Sequence, residues 1–190
     1  PEAVTAMLEG LGVDALGINC GLGPIQMKPL AERLTACASI PVIVNPNAGL
    51  PRSEKDRTVY DITPSEFAEV MDSILDLGVS AVGGCCGTTP EHMRLLKERV
   101  RVRPAPRIEK KNRTVAASYA MAVEFGREPV IIGERINPTG KPRLKKALIG
   151  HDLEFILGEG IAQQESGAAV LDVNAGLPEI DEASVMAEIV

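Results

Sequence analysis

The stretch VSAVGGCCGTTPEHMRLLKERV, residues 79–100, joins a short apolar run, two adjacent cysteines and a helical pattern. The run at 79–84 is typical of a buried parallel strand. Thr89 and Pro90 are residue types that favour the N-cap and the first position of a helix, so a helix is predicted over 89–100. A strand followed by a helix is one unit of α/β architecture, and the cysteine pair lies where the strand ends.

The same alternation continues in both directions from this stretch. Further helices are predicted over 1–12, 25–38, 63–78 and 152–167. Further strands are predicted over 13–19, 40–45 and 168–176, and residues 129–140 are predicted to form a strand together with the loop after it. This order indicates an α/β fold with parallel sheets. Residues 115–126 fit a helix or an irregular segment, and the polar stretch 52–62 fits a solvated excursion.

The composition changes at residues 101–113, RVRPAPRIEKKNR, which are basic, contain proline and lack an apolar period. This segment is predicted to be an interdomain linker, with a solvated loop inside one domain as the alternative. The chain is therefore divided into a first domain at 1–100 and a second at 114–190.

Length and composition exclude several classes of protein. The chain has 190 residues, of which 45% are hydrophobic, and a formal net charge of −6. It contains no apolar run of about 18 residues, so no membrane span is expected. The negative charge argues against nucleic-acid binding. Four cysteines without a visible secretory leader suit a reducing compartment, so we expect a cytoplasmic protein. Because the sequence begins inside a helical pattern at Pro1, we expect it to be part of a larger protein.

Three of the four cysteines follow predicted strands. Cys20 follows the run at 13–19, and Cys85 and Cys86 follow the run at 79–84. The carboxyl ends of parallel strands share one edge, so these three thiols are expected to converge. Three thiolates with an open fourth position make a catalytic zinc site. For each cysteine the alternative is a small buried hydrophobe, and that is the prediction for Cys37, which lies inside a helical pattern.

Two other features have both a structural and a functional interpretation. His92 and His151 are expected to be solvated or capping residues, although histidine is a common zinc ligand. The pentapeptide NAGLP occurs at 47–51 and again at 174–178, each time after a strand. It is predicted to form a turn, at a strand end where ligands bind in this architecture.

Four motifs carry a resemblance to known families. GINCGLGP at 17–24 and GGCCGTTPEHM at 83–93 resemble the homocysteine S-methyltransferase family. IGERINPTG at 132–140 and VLDVNAG at 170–176 resemble the start of the pterin-binding domain of the cobalamin-dependent methionine synthase family. The resemblance implies parts of two consecutive (β/α)8 TIM barrels, both incomplete: the last three strands of the first and the first two of the second.

The resemblance also implies a reaction. In the family, one cysteine of the first motif and two of the second hold zinc, which corresponds to Cys20, Cys85 and Cys86 here. Homocysteine binds as a thiolate, takes a methyl group from methylcobalamin and becomes methionine. The cobalamin is then methylated again by 5-methyltetrahydrofolate at the second barrel. Cobalamin itself would be bound by a domain outside this chain.

For the pterin the resemblance implies Asn137, Asp172 and Asn174, whose amide and carboxylate groups suit a pterin ring. The alternatives are turn formation for the two asparagines and a satisfied polar group for Asp172. Glu134 and Arg135 are interpreted as a structural ion pair and not as site residues.

Two other functions remain open at this stage. A cobalamin-independent homocysteine S-methyltransferase with a small methyl donor would need the same cysteines but no pterin motif. A non-enzymatic structural zinc module would need a fourth protein ligand. Because the resemblance covers incomplete barrels, the 190 residues alone are expected to be inactive.

Overall fold

The computed structural model describes residues 1–55 and 57–190, which form two compact units. Unit 1 comprises Pro1–Arg113 and Ala117–Ala122, and unit 2 comprises Thr114–Ala116 and Val123–Val190. Each unit is a mixed α/β structure with a parallel sheet, as the alternating pattern predicts.

Unit 1 is built on a three-stranded parallel sheet. The helices of this unit are α1 (Glu2–Gly10), α2 (Pro24–Cys37), α3 (Pro64–Leu75) and α4 (Pro90–Arg101). The strands are β1 (Leu16–Asn19), β2 (Val42–Asn45), β3 (Arg52–Glu54), β4 (Arg57–Val59) and β5 (Ala81–Val82). The sheet has the order β1-β2-β5, so strands that follow one another through helices lie side by side. Their carboxyl ends therefore share one edge.

The core of unit 1 lies between this sheet and its helices, and α3 contributes most to it. Phe67, Met71 and Ile74 recur at helical spacing and are completely buried. Each such side chain stabilises the fold by about 1.5–3 kcal/mol relative to an exposed one. Thr63 caps α3, with its side chain accepting a hydrogen bond from the Glu66 N–H, which confirms the predicted start of the helix.

Two segments form hairpins that the sequence pattern did not reveal. β3 and β4 pair antiparallel within the stretch 52–62, whose described side chains are mostly exposed, as expected for a solvated excursion. The prediction of a helix or an irregular segment at 115–126 is wrong, because β6 (Thr114–Ala117) pairs with β7 (Ala122–Phe125). Alanine-rich sequence has helical propensity, but here pairing between two strands satisfies the backbone groups instead.

Unit 2 contains two parallel strands and the helices packed on them. Its main elements are β8 (Ile132–Ile136), α5 (Pro142–Ile149), α6 (Leu153–Glu165), β9 (Val170–Val173) and α7 (Glu182–Ile189). β8 and β9 pair in parallel, with Ile136 opposite Val173, so both end at the same edge. A separate core forms around Leu148 and Ile156. In the part of the chain that the structure describes, the sheets of neither unit close on themselves, and their assignment to barrels stays a prediction.

The segment predicted as a linker begins on the surface of unit 1. α4 extends to Arg101, and Arg103 forms ion pairs with Asp72 of α3 at 2.8 Å and with Asp76, the residue after α3, at 2.6 Å. Residues 104–113 have neither helix nor strand. Among the described residues, none of the helices combines the length and the apolar character that crossing a membrane requires.

Candidate metal centre

Three thiols meet at the carboxyl edge of the unit 1 sheet. Cys20 directly follows β1, while Cys85 and Cys86 follow β5, and the end of β2 lies between them. The Cys20 N–H donates to the Asn45 carbonyl at 3.0 Å, and the Cys85 N–H donates to the Pro46 carbonyl at 2.8 Å. Both cysteine backbones are thus fixed to the same strand end. This is the convergence that the sequence predicts for Cys20, Cys85 and Cys86.

The distances between the sulfurs fit a shared metal ion. Cys20 Sγ lies 3.6 Å from Cys86 Sγ, and Cys85 Sγ lies 3.9 Å from Cys86 Sγ. All three sulfurs lie within 4.8 Å of one another. A zinc–sulfur bond of about 2.3 Å in a tetrahedral site separates neighbouring sulfurs by about 3.8 Å. The donor set and its spacing therefore fit zinc, with one coordination position left over.

The backbone adopts an uncommon conformation to aim the first thiol. Cys20 has φ 64° and Gly21 has φ 77°, so two successive residues are left-handed. A non-glycine residue in this region costs about 1–3 kcal/mol and persists where the surroundings enforce it, often at functional sites. The strain at Cys20 agrees with a role in binding rather than in a simple turn.

Tyr60 packs tightly against the turn that carries the cysteine pair. Gly87, the next residue, has φ 80°, and a Cβ built on it would lie only 2.5 Å from Cδ2 of Tyr60. Burial, followed by the neighbouring Cys86 thiol, raises the pKa of the Tyr60 phenol. Tyr60 therefore stays a neutral hydrogen-bonding group beside Cys86.

The local electrostatics distinguish the thiols. The pKa of Cys20 is lowered, first by the Gly21 N–H and then by hydrogen bonds from the other two thiols. The pKa of Cys85 is raised, mainly because its thiol hydrogen-bonds Cys20 and because it is partly desolvated. Of these two thiols, Cys20 therefore ionises more readily to the thiolate.

Asn47 is a polar residue of the centre that the sequence reasoning missed. It is 2% exposed, and its Oδ1 has no hydrogen-bond partner among the described residues. After the Gly21 N–H and the other two thiols, the Asn47 side chain also contributes to lowering the pKa of the Cys20 thiol. In the second copy of the pentapeptide, Asn174 Oδ1 accepts a hydrogen bond from the Gly176 N–H at 2.8 Å. The repeated pentapeptide was the signal in the sequence that pointed to this residue. In the structure, only one of its two asparagines makes the expected turn.

Cys37 lies outside this group. It is 6% exposed, and its thiol contacts Thr5 Oγ1 at 3.3 Å and the Leu34 carbonyl at 3.5 Å within helical packing. This is the core position that the sequence predicts for it.

The two histidines differ from each other. His151 is exposed and pairs with Glu188 at 2.7 Å, as expected for a solvated residue. His92 caps α4, which is one of the two alternatives expected for it, and at 4% exposed it is buried rather than solvated. Its ring fills the space between the start of α4 and Phe67 of α3.

In unit 2 the residues expected to contact a pterin lie at or near the ends of the two parallel strands. Asn137 follows β8 and Asn174 follows β9, and the Asn174 N–H donates to the Ile136 carbonyl at 2.8 Å. Asp172 lies in β9 and is exposed. Asn137 Oδ1 accepts from the Thr139 N–H at 3.0 Å, so both asparagines also shape turns.

Glu134 and Arg135 do form ion pairs, but with other partners. Lys141 Nζ lies 3.7 Å from Glu134 Oε1, and Arg135 Nε lies 3.5 Å from Glu159 Oε2. Adjacent residues on a strand point to opposite faces, which explains why the two side chains pair elsewhere.

Comparison with known proteins identifies the family of this chain. The family model described as "Homocysteine S-methyltransferase" matches residues 1–100. Methionine synthases of Mycobacterium tuberculosis and Mycobacterium leprae are each 37% identical, over 174 and 179 residues, or 90% of this chain. The chain spans 14% and 15% of the lengths of these two relatives.

Solved structures also match part of the chain. The homocysteine methyltransferase MmuM from Escherichia coli, in its metallated form, is 30% identical over 50% of this chain and 28% of its own. The TM-score of 0.40 is too low to support an argument about the fold.

Proposed function

Since the chain belongs to the homocysteine S-methyltransferase family, we propose that Cys20, Cys85 and Cys86 hold a zinc ion that binds the thiol of homocysteine for methylation. The observation that carries this proposal is the spacing of the three sulfurs, 3.6 and 3.9 Å for the two closest pairs, at one strand edge. The family match covers the whole of this edge.

The protein side chains prepare the site for a fourth ligand. Zinc bound there would supply Lewis-acid chemistry that lowers the pKa of a substrate thiol. The three cysteines would hold the ion as thiolates, and their negative charge would keep a substrate sulfur on it electron-rich and nucleophilic. The side chain of Asn47 lies beside Cys20, and its buried Oδ1 has no hydrogen-bond partner among the described residues, so we assign it to the centre as a polar contact for metal or substrate. The N-terminus of α4, which begins shortly after the cysteine pair, adds a partial positive charge that favours negatively charged groups nearby.

We further propose that the complete protein is a methionine synthase that uses methylcobalamin and 5-methyltetrahydrofolate. The support is the 37% identity to methionine synthases, which extends over 90% of the chain and so into both units. Unit 2 would bind the pterin of methyltetrahydrofolate through Asn137, Asp172 and Asn174, at the shared edge of β8 and β9. A cobalamin-binding domain would lie outside this chain. The four free thiols suit the reducing cytoplasm.

The zinc content of cysteine variants of the full-length protein tests the site. Replacement of Cys20, Cys85 or Cys86 by serine should remove the metal and abolish methylation of homocysteine by supplied methylcobalamin. Cys37→Ser is the matched control, because it replaces a cysteine that is buried in helical packing, and it should retain zinc. Zinc retained at the wild-type level in Cys85→Ser would overturn the assignment.

A further inference from the structure

His92 connects two segments of the thiol centre without touching a sulfur. It is the third residue of α4, the helix that begins directly after the turn with Cys85 and Cys86. The Thr89 N–H lies 3.2 Å from its Nδ1, and its Nε2 lies 3.1 Å from the Ile62 carbonyl oxygen. The ring also packs edge-to-face on Phe67, with 5.4 Å between centroids.

These partners determine the protonation of the ring. The Ile62 carbonyl can only accept a hydrogen bond, so Nε2 carries the hydrogen. The Thr89 N–H can only donate, so Nδ1 carries none. His92 is therefore a neutral imidazole that donates at one end and accepts at the other.

The ring also lies 2.9 Å from Thr89 Oγ1 through Nδ1. Its hydrogen bonds to the Thr89 N–H and to the Ile62 carbonyl complete a closed circuit beside the centre. The Ile62 N–H donates to the Ala48 carbonyl at 3.0 Å, and the Ala48 N–H donates to the Cys86 carbonyl at 2.9 Å. From Cys86 the chain itself leads to Thr89 and back to the ring. All other hydrogen bonds of the circuit are between backbone groups, so His92 is the side chain that closes it.

A simple helix cap would not need an imidazole at this position. The third helical residue of a capping box is commonly Glu or Gln, which accepts from the N-cap backbone. A glutamate carboxylate has no hydrogen to donate to a carbonyl and would be buried here at a 4% exposed position. The ring instead accepts a hydrogen bond from one backbone segment through Nδ1 and donates one to another segment through Nε2.

We propose that His92 is a positioning residue of the metal centre. By closing the circuit it holds the turn with Cys86 against the loop with Asn47 and Ala48, and so fixes the place of the Cys86 sulfur relative to Cys20. The inference rests on the proposed metal function, because it concerns how the same three sulfurs are kept at metal-binding distances.

Two substitutions in the full-length protein test the two ends of the ring. His92→Asn keeps an acceptor near the place of Nδ1 but is too short to reach the Ile62 carbonyl, and His92→Leu keeps an apolar side chain against Phe67 but removes both hydrogen-bonding ends. The matched control is His151→Asn, at the exposed histidine of unit 2. Cobalt(II) replaces zinc as the probe, because its thiolate charge-transfer and d–d bands report the geometry of the site directly.

His92 links the two backbone segments only while it hydrogen-bonds both Thr89 and Ile62. Both His92 variants should therefore bind cobalt(II) about tenfold more weakly, which is a typical loss for residues that orient metal ligands. Their d–d bands should also shift, while His151→Asn should leave affinity and spectrum unchanged. If His92 only caps the helix, His92→Asn will match the wild type in both, and that result would overturn the inference. A wild-type protein without thiolate–cobalt bands would refute the metal function itself.

Discussion

Replacing Gly87 by alanine should destabilise unit 1 far more than the same change at Gly78. Both glycines have similar left-handed conformations, φ 80° and φ 85°, so both substitutions incur the same backbone penalty, roughly 1–2 kcal/mol. A Cβ at Gly78 would meet nothing within 4 Å, whereas a Cβ at Gly87 would lie 2.5 Å from Cδ2 and 2.6 Å from Cβ of Tyr60.

The difference can be estimated from the contact distance. Carbon atoms pack at about 3.5–4.0 Å, so the Tyr60 ring must retreat by about 1 Å. Overpacking of this kind costs about 1–3 kcal/mol. We therefore expect a loss in the free energy of unfolding of about 1–2 kcal/mol for Gly78→Ala and about 2–5 kcal/mol for Gly87→Ala.

Urea denaturation of the two variants, and of both in a Tyr60→Gly background, measures the backbone and packing contributions separately. Tyr60→Gly removes both the ring and the Cβ that the new methyl group would meet, so Gly87→Ala should lose its extra cost and fall to the level of Gly78→Ala. Equal losses for the two glycines in the wild-type background would refute the packing argument. A difference that persists in the Tyr60→Gly background would show that another contact is responsible.

The remaining predictions concern unit 2 and the first helix. Asp172→Ala should impair methyl transfer from methyltetrahydrofolate but leave methylation of homocysteine by supplied methylcobalamin nearly intact. The control Glu165→Ala, at an exposed position on α6, should affect neither half-reaction. Equal damage to both half-reactions by Asp172→Ala would contradict the assignment of Asp172. Hydrogen bonds from Arg33 lower the pKa of Glu2 to about 2, so this interaction should stabilise unit 1 above about pH 4.5 and be lost as the pH falls towards 2. Arg33→Gln should return the Glu2 pKa, measured by NMR titration, towards its usual value, and an unchanged pKa would show that the ion pair does not form in solution.

Residue spacing predicted the positions of the three thiols because parallel α/β architecture leaves little freedom there. Once β1, β2 and β5 pair in parallel, Cys20, Cys85 and Cys86 must follow the same edge. The sequence also predicted the N-caps of α3 and α4. Thr-Pro is a reliable signal for a helix start because the N-cap side chain interacts only with residues of the first helical turn.

The features that were missed depend on contacts between distant segments. Asn47 and Asn174 have the same local sequence, and tertiary packing alone decides which of them makes a turn. His92 looks like an ordinary residue near a helix start until the Ile62 carbonyl is known to face it. The β6–β7 hairpin is likewise set by pairing, which outweighs the helical propensity of its alanines.

X-ray absorption at the zinc edge of the purified full-length protein, with and without homocysteine, tests the central claim most directly. Without substrate we expect three sulfurs at about 2.3 Å and one oxygen or nitrogen ligand, because three cysteines converge and the fourth position is open. Addition of homocysteine should convert this set to four sulfurs. Four sulfurs in the absence of homocysteine would indicate a closed structural site, and a spectrum that does not change when homocysteine is added would contradict the proposal that its thiol binds there.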